Sequence, residues 1–139
     1  MIKRYGAAPK SGQQYKHRAG VYAILPRDGK LLLTYQGDPH FEIQLPGGGI
    51  DPGEHPLTAL HREVFEETGW RIGSPRKLGA FRRFVFMPEY DMWAEKVCHI
   101  YLARPIRPDH SAQFRLCDLD RQVVDRLEPV KGFRHAGDF

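Results

Sequence analysis

The chain has 139 residues, 41% of them hydrophobic and 27% charged, which suits one soluble globular domain able to close a single core. Lys and Arg outnumber Asp and Glu by 21 to 17, a modest basic excess that steers anions toward the surface. No apolar run approaches the roughly 18 residues of a membrane span, no apolar h-region follows the basic start, and Cys98 and Cys117 form neither a CxxC pair nor a disulfide framework. These features exclude a membrane partner and point to a cytoplasmic protein with reduced thiols.

Residues 1–16 form a basic N-terminal arm within the single domain 1–139, with Lys3, Arg4, Lys10 and Lys16 and then Arg18 in a Gly/Pro/Gln-containing stretch. An RNA-contacting arm is one reading. No aromatic platform or repeated basic motif accompanies it in the sequence, so a solvated terminus is the expectation.

Gly20–Leu25 and Lys30–Tyr35 read as strands flanking Arg27-Asp28-Gly29, whose Asp-Gly pair signals a hairpin. Glu42–Leu45 alternates as a third strand before the loop Leu45-Pro46-Gly47-Gly48-Gly49, where bare backbone can approach a ligand closely. Between Pro56 and Thr68, Leu57, Leu60 and Val64 recur at helical spacing, predicting an amphipathic helix. His55, at the cap position, is not a preferred N-cap residue, although Pro56 suits the first turn. Glu63, Glu66 and Glu67 fall within an arc of roughly 100° beside the apolar stripe. Like charges so placed repel, and a divalent ion would reverse that sign; oxygen-only ligation suits Mg²⁺ or Mn²⁺. A solvated acidic face is the competing reading for a Glu-rich helix taken alone.

Farther along, Lys77–Phe86 and Val97–Ala103 have strand composition, and Leu119–Leu127 patterns as a second helix capped by Asp118, with Pro129 beyond its end. Strands before and after one helix, then a second helix, predict an α+β fold with a mixed sheet covered on both faces.

Gly48, Glu54, Arg62, Glu63, Glu66, Glu67 and Gly69, with Trp70, fill the pattern G-x5-E-x7-R-E-U-x-E-E-x-G-U, where U is bulky and apolar. Seven fixed matches arise by chance on the order of once in a hundred million windows, so the motif is specific. The chain resembles the Nudix hydrolases across about residues 17–128. Trp70 and Ile43 depart from the residues common at those places, an aliphatic and a Trp, without removing a ligand.

The resemblance implies an α/β/α sandwich and metal-dependent hydrolysis of a diphosphate linkage in a nucleoside diphosphate derivative. It implies Mg²⁺ or Mn²⁺ held by Glu63, Glu66, Glu67 and the Gly48 carbonyl, with Arg62 and Glu54 as a supporting pair. It also implies a small nucleotide substrate, with RNA as a further candidate, and homodimers are common in such proteins. Within the enzymes, RNA 5′-pyrophosphohydrolase and ADP-ribose pyrophosphatase are alternatives. A catalytically idle module that binds nucleotide or RNA is the reading from another class; such modules usually lose a signature carboxylate, and none is lost here.

Residues outside the signature should choose the substrate. Alternation puts Arg82 and Arg83 on opposite sheet faces, and one is a candidate phosphate clamp. Tyr35, Phe41, Phe84, Phe86, Tyr90 and Trp93 are candidates for base stacking or for core, and His61 and His99 read as packing or surface residues. The catalytic base is open among Glu63, Glu89, Asp91 and Glu95. Glu95 is preferred for its closeness to a rigid strand.

Overall fold

The computed structural model describes residues 1–37, 41–106 and 116–118, the last three as backbone only. The expected helix over Leu119–Leu127 lies outside the described residues. Five strands build the main sheet: β1 (Lys3–Arg4), β2 (Lys16–Ile24), β7 (Gly47–Gly49), β8 (Arg71–Met87) and β9 (Met92–Ile106). Their order is β1-β8-β9-β2-β7, with β1/β8 and β2/β9 parallel and β8/β9 and β2/β7 antiparallel. The mixed sheet expected from the sequence is therefore present.

Smaller pairings flank it. β3 (Pro26–Arg27) and β4 (Lys30–Leu32) close around Asp28 and Gly29, whose φ values of 51° and 72° are those of a primed hairpin turn. β10 (Leu116–Asp118) adds to β4, and β5 (Thr34–Gln36) pairs with β6 (Glu42–Gln44). The single strand expected over Lys30–Tyr35 is thus two, broken at Leu33. β8 begins six residues before the expected Lys77, because irregular register between Gly73 and Arg76 absorbs Ser74-Pro75 into the strand.

One described helix, α1 (Pro56–Thr68), packs on the sheet. Val21 and Ala23 of β2 and Tyr101 and Ala103 of β9 share a face and meet Ala59, Leu60 and Val64 of the helix in the core. Trp70 is 5% exposed and joins this core, and the Arg27 guanidinium lies 5.3 Å above its ring. A bulky aromatic at that motif position is thus structural. His55 is the N-cap, as its position in the sequence suggests: its Nδ1 accepts from the Leu57 N–H at 3.1 Å, an imidazole nitrogen doing what an Asp or Ser oxygen does elsewhere. At the other end Gly69, with φ 71°, donates its N–H to the Phe65 carbonyl. No described helix is long and apolar enough to cross a membrane.

The first 16 residues are not simply solvated. Lys3 and Arg4 add a parallel edge strand to β8, and the Tyr15 ring meets Phe84 and Trp93 edge-on.

Candidate active site

Arg62 is the hub of the acidic edge. Its Nε and Nη2 donate to both oxygens of Glu54 at 2.9 and 2.8 Å, a planar fork that matches a carboxylate. Nη1 donates to Glu63 at 2.7 Å and, at a longer 3.3 Å, to Glu66, while Nη2 also reaches the Gly49 carbonyl at 3.0 Å. Asp51 stands 3.7 Å away, and its backbone N–H donates to Glu54. One guanidinium therefore ties the glycine loop, the turn after it and the helix into a single unit. The pair holds the Glu54 carboxyl down to about 2, chiefly through the Arg62 hydrogen bonds, and keeps Arg62 charged.

The three helix carboxylates are not equivalent. Glu66 is exposed. Glu63 is buried, which raises its pKa, with Arg62 opposing the rise. Glu67 shows no contact with Arg62 and accepts from the Gly47 N–H at 2.9 Å. Burial, then the charges of Glu63 and Glu66, push its pKa up to about 8, with the Gly47 hydrogen bond working the other way. A half-buried carboxylate with one backbone donor and two like charges nearby is short of positive charge. That deficit, with hard oxygen donors alone, fits a hard divalent cation. Among the described residues no three Asp, Glu, His or Cys side chains already form a closed metal cage. Glu63 and Glu66 instead share Arg62.

The glycine loop has little freedom. A Cβ on Gly47, where φ is 151°, would stand 2.1 Å from the Val21 carbonyl oxygen and 2.8 Å from the Tyr22 ring. Across β2, a Cβ on Gly20 would fall 3.0 Å from the Gly48 oxygen and 3.2 Å from the Tyr22 hydroxyl. Two glycines thus seat one tyrosine beside the acidic edge. Burial first, then Cys98, Glu67 and Glu63, push the Tyr22 phenol above its ordinary range. Sequence reading did not single out Tyr22; the available signal was its place between the core-facing Val21 and Ala23, which turns it to the other face.

Arg82 and Arg83 do part across the sheet. Arg83 is exposed on the face of Tyr22 and Cys98, whose acidities its charge increases, although burial leaves the Cys98 thiol pKa raised overall. Arg82 faces the helix side, 3.5 Å from Glu95, and its Nε has no hydrogen-bond partner. Glu95 sits opposite His17, with 3.8 Å between the His17 Nδ1 and a Glu95 carboxylate oxygen. No described ion pair or hydrogen bond joins it to Arg62 or the helix carboxylates. Glu89 lies in a 3-10 turn (Pro88–Tyr90) and Asp91 follows at its cap, both exposed at the hairpin tip. His61 is exposed on α1, whereas His99 Nδ1 is enclosed without a partner, and burial with Lys77 and His17 nearby lowers its pKa.

Comparison with known proteins gives a consistent picture. The NUDIX domain family model matches residues 15–129. An RNA pyrophosphohydrolase of Pectobacterium atrosepticum is 37% identical over 71 residues, 51% of this chain and 39% of that protein. A Bacillus subtilis (strain 168) protein provisionally named 8-oxo-dGTP diphosphatase is 41% identical over 74 residues, 53% of this chain and 50% of that one. The chain thus spans half or less of these curated relatives. Among solved structures, a MutT NUDIX hydrolase from Burkholderia pseudomallei shares the fold with a TM-score of 0.58 at 24% identity, covering 88% of this chain and 96% of that one. The B. subtilis pyrophosphohydrolase BsRppH gives a TM-score of 0.52 at 30% identity, covering 67% and 54%.

Proposed function

We propose, from the premise that this chain belongs to the Nudix family, that it hydrolyses a diphosphate linkage in a nucleotide derivative with the help of Mg²⁺ or Mn²⁺. The observation that carries this reading is the intact acidic edge, in which Arg62 fixes Glu54 and Glu63 while Glu67 is left short of positive charge. Glu63, Glu66, Glu67 and the Gly48 carbonyl are the residues that would hold the ion. Once bound, it supplies neutralisation of phosphate oxygens and a more acidic water.

The chain's own contribution is positional. Arg62 locks the glycine loop to the helix, so that the Gly48 carbonyl and the carboxylates keep a fixed separation while substrate enters. The Gly47 N–H holds one Glu67 oxygen and leaves the carboxylate's other oxygen for the site. For the base, Glu63 on the helix competes with Glu95 on β9. Position favours Glu63, which lies within the cluster through Arg62, whereas the described ion pairs of Glu95 are with Arg82 and His17 outside it.

The names of the relatives support a triphosphate-bearing substrate, either a free nucleoside triphosphate or the 5′ end of an RNA. The test is release of phosphate or pyrophosphate from a panel holding normal and oxidised nucleoside triphosphates, ADP-ribose, dinucleoside polyphosphates and 5′-triphosphate RNA, with Mg²⁺ or Mn²⁺ and with chelator. Metal-dependent release from at least one triphosphate substrate is expected. Silence across the panel would leave the idle binding module as the better account.

A further inference from the structure

We propose that the hairpin end of the sheet, where β8 ends and β9 begins, is a docking surface for single-stranded RNA. In the register of β8 and β9, Phe86 stands opposite Trp93 and Phe84 opposite Glu95, so Phe84, Phe86 and Trp93 share a face. Tyr15 closes the group, with ring centroids 4.9 Å from Phe84 and 5.9 Å from Trp93, and Phe86 lies 5.4 Å from Trp93. Phe86 remains 42% exposed. A patch of rings with an open member offers π-faces on which any base can stack.

Charge selects the occupant. The first acidic residue of the chain is Asp28; before it come Lys3, Arg4, Lys10, Lys16, Arg18 and Arg27. This carboxylate-free segment meets the patch at Lys10, whose ammonium sits 4.5 Å over the Trp93 ring, and from β8 the Arg82 guanidinium lies 6.0 Å over Phe84 on the same face. Acidic residues on the hairpin are Glu89 and Asp91 at its tip and Glu95, which Arg82 and His17 already engage. Cations seated on the rings, beside an N-terminal segment without carboxylates, match a phosphodiester strand better than the mixed charges of a protein surface.

The path is also supplied. β2 runs from beside the patch at Lys16, opposite Ala94, to Gly20, opposite Gly49 at the acidic edge. From Tyr15 to Gly20 is about 17 Å of strand, which a few nucleotides can span. The choice of RNA rests on the reading of the acidic edge as acting on a nucleotide 5′ end; the surface itself needs no hydrolysis.

The experiment therefore separates the two. Fluorescence anisotropy of a labelled RNA of about eight nucleotides, with a 5′-hydroxyl and in chelator, reads the surface without any cleavable end. Phe86→Ala should weaken binding about five-fold or more, and Lys10→Ala should lower the slope of log K against log salt by about 0.7. Phe65→Ala, which removes another exposed ring on α1, should change neither. Phe86→Leu keeps the apolar bulk and removes the π-face, so binding should fall in a protein that melts as the parent does. Unchanged affinity in Phe86→Ala and Phe86→Leu, or an equal loss in Phe65→Ala, would overturn the proposal even if the hydrolysis panel succeeds. Loss in the Phe86 variants alone would uphold it even if the panel fails.

Discussion

The acidic edge of α1 and the aromatic end of the β8–β9 hairpin are assembled from the chain in opposite ways. Every polar partner at the acidic edge, from Gly47 to Glu67, comes from one continuous stretch in which Arg62 does most of the joining. The aromatic end combines Tyr15, Phe84, Phe86 and Trp93, which meet only because β2 and β9 run parallel and β9 folds back on β8. The first region is a local device held by charge, and the second is a product of topology held by ring packing. Charge geometry tolerates little substitution, whereas ring packing tolerates more.

The contrast should show most strongly at Glu67. On the proposed function, Glu67→Gln lowers kcat by about 100-fold or more while the fold survives. Its folded pKa, near 8, lies above the ordinary 4.5, so ionisation works against folding, and the metal-free protein loses stability as pH rises from 4.5 through 8. Glu67→Gln should remove that loss. Thermal melts in chelator across that range provide the check, and a variant that melts lower than the parent at pH 8 would contradict it.

Arg62→Lys comes next. A lysine cannot reproduce the fork on Glu54 while also reaching Glu63, so kcat/KM should fall by roughly 10- to 100-fold, with a smaller effect on the melting temperature. Steady-state kinetics that match the parent would show that the acidic edge does not need its hub.

Glu54 gives a pH signature of opposite sign. Its folded pKa, about 2, is depressed below 4.5, so its stabilising share is complete above pH 4.5 and disappears as pH falls toward 2. Glu54→Gln should flatten the melting temperature over that window relative to the parent. The smallest effect belongs to Glu95→Gln, which removes partly exposed ion pairs worth about 0 to 1 kcal/mol. Turnover should stay near the parent's if Glu63 is the base; a collapse in kcat with metal affinity intact would return the role to Glu95.

Legibility in the sequence follows the same division. The α1 boundaries, the Asp-Gly hairpin and the side of Arg82 relative to Arg83 depend on neighbours in the chain, and periodicity or turn chemistry reveals them. The Arg62–Glu54 contact was legible through the motif, since eight residues bridge a turn and two helical turns within reach of one long side chain. The aromatic patch was not, because no spacing rule brings Tyr15 to Trp93 before the parallel register is known. The split at Leu33 and the extension of β8 past Pro75 escaped for a related reason: each is decided by which sheet claims the strand. His55 caps the helix at the position read from the sequence although its residue type is seldom chosen there, because cap preference is an average over residue types and imidazole can present a lone pair where one is needed.

The strand order has a further consequence, for how the chain folds. Lys3 finds its partner at Phe81 and Lys16 at Ala94, so β1 and the first half of β2 cannot dock until β8 and β9 exist, whereas Gly20, Val21 and Tyr22 can already pair with β7. The β8–β9 hairpin, by contrast, closes on itself across the short turn at Pro88–Tyr90. Long-range parallel pairing is slow because loop closure precedes its reward. During synthesis Lys3 and Arg4 leave the ribosome before their partner β8 is made, and refolding should begin at the hairpin and end with the β1–β8 and β2–β9 pairings.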